Sequence, residues 1–401
     1  MNIPLAKPEI GGGEIARVTE VLRSGHLSLG PRVPEFEDKF AVLAGMRYAV
    51  AVNSGTSALH LCVRALGIGA GDEVITTSFS FVASTNCILY ERAVPVFVDI
   101  DPATLNIDPA QIEKFLTLKC EKRGGETFDR ETGRRVKAIL PVHVFGRPCD
   151  MDEIGRLARE YGLLVIEDAC EALGATFGGR HVGTFGEAAT FAFYPNKQIT
   201  TGEGGMVVTN DEQVAEACKA MRNQGRDPGS EWLNHARLGF NYRLSDVHAA
   251  LGIAQLERFE QIQRKRAAAA QWYTKGLRSL AGIRLPADDD QCRRSWFVFA
   301  IQLQEDLPAG SRGRVMKALC RAGVSCQSYF PAIHQQPYLE ASQREIPFAL
   351  PATESAAERG IALPFFSGLR EDEAAYVCGV LRQALQAETS SISVAEEQAA
   401  L

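Results

Sequence analysis

The chain has 401 residues, of which 46% are apolar and 23% charged, with a formal net charge of −6. That length allows two domains or one large domain with an appendage, and the balance is that of an ordinary soluble globular protein. The acidic surplus argues against a nucleic-acid binder, and the short basic runs Arg134-Arg135 and Arg264-Lys265-Arg266 read as solvated faces.

No apolar run is long enough to span a bilayer, and Met1-Asn2-Ile3-Pro4 opens without the apolar core of a signal peptide, so a cytoplasmic protein with no membrane partner is expected. Ten cysteines are scattered without a C-x-x-C pair. Cys62, Cys87 and Cys218 fall within apolar helical runs, where a thiol packs as a small hydrophobe. Neither a metal site nor a disulfide framework is expected.

From residue 48 onward, short β-branched runs alternate with helical ones. Position 48–52 reads as a strand, and 57–66 as a helix with Leu59, Cys62, Val63 and Leu66 on its apolar face. Strands over 73–77 and 95–99 flank a helix over 83–91, and the polar stretch 119–135, with Gly124-Gly125, reads as a surface excursion or hairpin. Strands over 137–144, 163–167, 190–194 and 206–209 follow. Such alternation predicts an α/β fold with a mainly parallel sheet covered by helices on both faces. The close spacing of the last strands predicts some antiparallel pairing near residue 197. One long helix is predicted from 245 to 273, on Val247, Ala250, Leu251, Ala254, Leu256 and Phe259. Strands at 296–303 and 324–328 with helices at 313–322 and 371–385 then suggest a smaller α+β domain. The expected division is a large domain over 1–255, a small C-terminal domain over 256–388 and a flexible tail over 389–401.

Three segments carry chemistry. Ala192-Phe193-Tyr194-Pro195-Asn196-Lys197 ends a strand at a proline and presents one lysine ahead of the turn Thr201-Gly202-Glu203-Gly204-Gly205. A partly desolvated amine on a rigid turn becomes a nucleophile toward carbonyls; taken alone, the same lysine is a solvated loop residue. Asn53-Ser54-Gly55-Thr56-Ser57-Ala58 leaves a strand and opens a helix, where free N–H groups and hydroxyls bind anions or simply cap the helix. It is neither a Walker loop nor a G-x-G-x-x-G fingerprint. Asp168, in Glu167-Asp168-Ala169-Cys170-Glu171, ends the strand Leu163-Leu164-Val165-Ile166. Ligands bind at the carboxyl ends of parallel strands, and a carboxylate there either keeps a pyridine nitrogen protonated or caps the next turn. Together the three supply a Schiff-base amine, a pyridinium partner and a phosphate cradle, the parts that pyridoxal phosphate chemistry needs.

With these segments in order, and with Gly71-Asp72-Glu73-Val74-Ile75, Ser78-Phe79-Ser80-Phe81-Val82-Ala83, His143-Val144-Phe145-Gly146 and Asn241-Tyr242-Arg243-Leu244-Ser245-Asp246, the chain resembles the nucleotide-sugar aminotransferases of the DegT/DnrJ/StrS group. The resemblance covers nearly the whole chain. It implies the PLP-dependent transferase fold of type I, a homodimer with shared active sites, and pyridoxal 5'-phosphate as cofactor. It implies that Lys197 holds the cofactor and moves the proton, and that Asp168 pairs with the ring nitrogen. Gly55, Thr56 and Ser57 hold the phosphate, and Asn241 reaches the phosphate of the neighbouring subunit. Phe81 stacks on the ring or, without the family, is a plain core phenylalanine. Glu171 stands where the family often has Gln or His touching the cofactor. Arg243 is implied as a clamp for the donor carboxylate, though Asn241 and Arg243 also suit an ordinary turn. Tyr329 and His334 lie in a segment near the acceptor sugar, with loop packing as the alternative for His334, and His143 reads as either structural or a supporting group behind the site. Ala192 departs from the pattern, since the family often has a serine there; one phosphate hydrogen bond, about 1–3 kcal/mol, is absent or supplied elsewhere.

The implied reaction moves an amino group from glutamate or glutamine to a nucleotide-linked ketosugar. An aminotransferase of cyclitols or amino-aromatic precursors differs only in the acceptor pocket, which involves loops 225–238 and 329–338. Sugar dehydratases of the group replace the lysine by histidine, and a silent regulatory relative would lack the lysine or the aspartate; this chain has both.

Overall fold

The computed structural model describes residues 1–227, 234–287, 289–340 and 348–399. Short runs rich in Val, Ile and Ala form one nine-stranded sheet. Its strands are β1 (Tyr48–Val52), β2 (Asp72–Thr77), β3 (Val94–Val98), β4 (Cys120–Arg123), β5 (Glu126–Asp129), β6 (Arg135–Leu140), β7 (Leu164–Asp168), β8 (Ala188–Ala192) and β9 (Gly205–Thr209). The spatial order is β1-β9-β8-β7-β6-β2-β3, with the hairpin β4–β5 attached to β6. Neighbours from β8 to β3 run parallel, whereas β9 lies antiparallel between β1 and β8. The mainly parallel sheet, the hairpin and the antiparallel pairing near residue 197 are therefore as the sequence predicts.

Alternation along each strand assigns its two faces. Val50, Val52 and Val207 pack with the helix Gly55–Ala65 around Leu59 and Cys62, while Ala49, Ala51, Met206 and Phe191 face the helix Arg32–Ala44. There Phe40 meets Phe191 and Phe193 edge-on at 5.2 and 5.4 Å. Farther along the sheet, the helices Pro109–Lys119 and Met151–Tyr161 cover Ile75, Val136, Ile139 and Val165. Cys62, Cys87 and Cys218 are buried free thiols, as their apolar settings suggest.

Several expectations shift. Strand β8 occupies Ala188–Ala192 rather than 190–194, because the Phe193 carbonyl closes a loop by accepting from Thr201 N and Thr200 Oγ1. The predicted helix over 245–273 is two helices, Asp246–Glu257 and Phe259–Leu277, separated at Arg258, whose ψ of 18° leaves the helical range. Of the segment 389–401 expected as a tail, residues 389–399 lie in the helix Glu371–Ala399, and 400–401 fall outside the described residues. That stretch holds neither Gly nor Pro to stop a helix, and Glu388 anchors its approach through Ser311 Oγ at 2.7 Å and Arg314.

A second core surrounds a small antiparallel sheet of Ile283–Arg284, Phe299–Leu303 and Gly360–Leu363. Tyr273, Leu319 and Leu381, from three different helices, close over it. The strand expected at 324–328 contributes only isolated bridges, Ile3 to Val324 and Gln327 to Ala362. None of the helices in the described residues is long and apolar enough to cross a membrane.

Phe40 tests the first core, since its ring is fully buried and touches three other phenylalanines. Phe40→Ala should lower the unfolding free energy by about 3–5 kcal/mol, read from the shift of the urea midpoint. A change below about 1 kcal/mol would show that the sheet does not depend on this cluster.

Candidate active site

The carboxyl ends of β1, β7 and β8 and the amino end of β9 meet at one edge of the sheet. Gly205 pairs with both Val52 and Ala192, so the turns leaving β1 and β8 converge on the start of β9. Glycine is required at this junction: a Cβ on Gly205 would come 2.3 Å from Ser54 O, and one on Gly55 would come 2.7 Å from Ala192 Cβ. Backbone thus replaces side chain where the helix Gly55–Ala65 begins.

Lys197 leaves β8 on a loop tied by its own N–H to Tyr194 O. Its side chain is largely buried, with Nζ 3.3 Å from Glu171 Oε1 and 3.9 Å from the centre of the Phe297 ring. Glu171 Oε2 accepts the Phe145 N–H at 2.9 Å. Asp168, the last residue of β7, accepts Cys170 N–H on Oδ1 at 3.1 Å. Beneath it, His143 donates its main-chain N–H to Asp168 O at 3.0 Å. His143 Nδ1 accepts from Cys149 N, which puts the ring proton on Nε2, facing Glu167 at 3.1 Å. His143 is therefore structural, as expected, and braces the strand that carries Asp168.

Burial pushes both carboxyls above their ordinary values. For Asp168, hydrogen bonds to Cys170 and the charge of Lys197 act against that rise. For Glu171, the charge of Lys197 and the Phe145 N–H act against it, while Asp168 adds to it. Both carboxyls thus stand in a dry corner where the charge of Lys197 offsets part of the cost of burying them. Burial likewise raises the Tyr329 phenol, with the charge of Glu171 adding and a hydrogen bond to Asn196 opposing. Tyr329 is parallel to Phe297 within 4°, so this residue does stand beside Lys197's environment.

The remaining expected residues are placed as follows. Ser54 Oγ accepts Ser57 N–H at 3.1 Å, and Ser57 Oγ donates to Asn53 Oδ1 at 2.7 Å, so these hydroxyls cap the helix in this structure. Thr56 is half-buried in the first turn. Phe81 is 61% exposed, which rules out the plain core phenylalanine. Asn241 is exposed and its carbonyl accepts Asn53 Nδ2 at 3.3 Å. Arg243 donates to the amide oxygens of Asn223 and Gln224 at 3.0 and 2.7 Å, so the structure shows it on neutral acceptors. His334 is held by other partners: its N–H and Nδ1 both meet Ser78 Oγ, at 3.0 and 2.7 Å, and Nε2 lies 3.2 Å from Glu354. Of the acceptor loops, residues 228–233 fall outside the described residues.

The sequence reading missed Phe297 and misassigned Arg266. Arg266 was expected on a solvated face, yet it is 3% exposed and donates to Lys197 O at 2.7 Å. Its helical position, seven residues after Phe259 and three before Ala269 on a buried stripe, was the available signal.

The sequence of the DegT/DnrJ/EryC1/StrS aminotransferase family matches residues 8–382. GDP-perosamine synthase of Caulobacter vibrioides is 38% identical over 387 residues, covering 96% of this chain and 98% of that protein. The chain belongs to the DegT/DnrJ/EryC1/StrS aminotransferase family. The X-ray structure of S. venezuelae DesV in complex with a ketimine intermediate superposes with a TM-score of 0.82 at 34% identity, covering 92% of this chain and 93% of that one. DesI, solved in the presence of its TDP-sugar product, gives 0.84 at 30% identity over 98% of this chain and 96% of its own. The α/β fold is thus that of PLP-dependent aminotransferases, and the protein is an aminotransferase. In this DegT/DnrJ/EryC1/StrS member, Ala192 occupies its place beside Gly55 by packing its methyl where a side chain on that glycine would fall.

The shared burial of Asp168 and Glu171 has a pH signature. Each folded-state carboxyl lies above its unfolded value, so the folded chain keeps protons that the unfolded chain releases. The resulting stability is fully present below the ordinary aspartate value of 3.8 and is lost as pH rises through the raised ones. Glu171→Gln removes one of the two titrations. Its thermal midpoint should fall less steeply with rising pH than that of the wild type, and equal slopes would contradict the burial argument.

Proposed function

We propose that this aminotransferase uses pyridoxal phosphate, takes its nitrogen from glutamate or glutamine, and delivers it to the ketone of a nucleotide-linked sugar. The observation that carries the reading is the Lys197 amine, seated against Glu171 at the same sheet edge as the buried Asp168 and the start of the helix Gly55–Ala65. The donor set fits the cofactor: an amine for its aldehyde, a buried carboxylate for its ring nitrogen, and a helix N-terminus for its phosphate.

When bound, the cofactor supplies an electron sink through its protonated ring nitrogen. Asp168 would keep that nitrogen protonated, and its buried setting strengthens the hydrogen bond. Lys197 would hold the aldehyde carbon at rest and then, displaced by the donor amine, take and return a proton at the substrate carbon. Glu171 would orient Nζ through the contact it makes here. Ser57 and Thr56 would turn to the phosphate, with Phe81 over the ring. Arg243, on neutral acceptors only in the contacts above, has a charge suited to the donor carboxylate. Tyr329 and His334 would border the acceptor.

The exposed rings of Phe81 and Tyr194, 61% and 52% accessible, support a second copy closing the site, with Asn241 reaching across. The sugar class is supported by the relatives: one is named for GDP-perosamine and another was solved with a TDP-sugar product. They differ in nucleotide, so the acceptor is proposed as a class.

The purified protein with added pyridoxal phosphate should show a visible band that glutamate bleaches, and Lys197→Ala should lack that band. Asp168→Asn should retain cofactor capture but lose at least about 100-fold in the glutamate half-reaction. A wild-type chain that forms no band at saturating pyridoxal phosphate would defeat the reading.

A further inference from the structure

Arg266 carries a buried charge that the reading above leaves unused. It sits on the helix Phe259–Leu277 and is 3% exposed. Nη2 donates to Lys197 O at 2.7 Å and Asn196 O at 3.4 Å, and Nη1 donates to Phe297 O at 3.1 Å and Trp296 O at 3.4 Å. Among the described residues no carboxylate pairs with it, and its buried Nε has no acceptor. Burial pulls the guanidinium down to about 10, with only Glu9 acting the other way.

The four carbonyls belong to two segments. One is the turn that presents Lys197; the other leads to the Phe297 ring, which lies 3.9 Å from Lys197 Nζ. Gln198 adds a second tie, since its Nε2 donates to Glu171 O at 2.6 Å and to Ser295 O at 3.2 Å. The amine, the ring beside it and the carboxyl that meets it are therefore held by one set of main-chain anchors, with Arg266 at the junction. A planar fork can serve four carbonyls in two directions, whereas a lysine ammonium at the same place is a point donor on a flexible stem.

We propose that Arg266 is a positioning residue for the reacting amine: by joining the Lys197 turn to the Phe297 segment, it holds Nζ between the Glu171 carboxylate and the Phe297 ring. The inference rests on the reading of Lys197 as that amine.

The test compares cofactor-free wild type with Arg266→Lys, Arg266→Met and Phe297→Leu. Thermal midpoints are measured first. Below all midpoints, each protein is mixed with pyridoxal phosphate, and capture is followed by visible absorption and by borohydride trapping on the Lys197 peptide. Arg266→Lys should fold and capture about 10- to 100-fold more slowly, because a small misplacement of a reacting group carries a cost of that order. Should Arg266→Met fail to fold, Arg266→Lys and Phe297→Leu decide: the latter keeps the carbonyl anchors, removes the ring, and should slow capture about tenfold. Capture by Arg266→Lys at the wild-type rate, with or without a lower midpoint, would reduce Arg266 to a packing residue and overturn the proposal.

A second arm needs no cofactor. Reductive methylation with formaldehyde and cyanoborohydride, read by peptide mass, should modify Lys197 about threefold faster in Arg266→Lys than in wild type, relative to Lys137. An unchanged ratio counts against the proposal. If the wild type captures no pyridoxal phosphate, the functional reading fails, while this arm still decides whether Arg266 holds the amine.

Discussion

The reversal of β9 between two strands of the opposite direction governs where the functional groups lie. Because β9 starts where β1 and β8 end, the chain must turn back over the sheet edge within residues 193–204, and Lys197 lies on that turn. The same reversal brings the turn against the start of the helix Gly55–Ala65, where only glycine fits beside Ser54. An all-parallel sheet would need a crossover helix at this point and would carry the lysine away from the edge.

Low dielectric then shapes the chemistry of that edge. Asp168 and Glu171 are both 5% exposed, and one amine stands between them and the aromatic wall. Each carboxyl is tuned by what it lacks in water and gains from neighbours: burial raises it, and the charge of Lys197 acts against that rise. A deeper layer keeps this layer rigid. Glu167 accepts N–H groups from Gly183, Phe185 and Gly186, all at 3.0 Å or less, and faces His143, which in turn bonds the carbonyl of Asp168. A buried carboxylate satisfied in this way locks the strand end whose next residue carries the site carboxyl.

The second core contributes more than a boundary. Phe297 and Tyr329 come from segments around the small sheet, yet they form the aromatic side of the lysine's surroundings. Arg266 belongs to the helix that packs against that sheet, and it reaches back to the carbonyl of Lys197. Movement between the two cores would therefore be felt at the amine through main-chain contacts, without any change in the groups that touch substrate.

The sequence alone determined the alternating elements, the antiparallel pairing near residue 197, and the three chemical segments around Lys197, Asp168 and Gly55. Each is a local pattern: strand periodicity, a glycine turn, or a carboxylate at the end of an apolar run is written within about ten residues. Only the tertiary structure decided which hydroxyls cap a helix, that Phe81 is exposed, and that Glu171 meets Lys197. It also separated Arg266 from its neighbours: Lys265 is a half-buried partner of Glu9, whereas Arg266, one residue later, is buried on a carbonyl 69 positions away. Charge in a sequence is the same letter whether solvated or enclosed. Its environment is set by the packing of distant segments, and no short pattern encodes that distance.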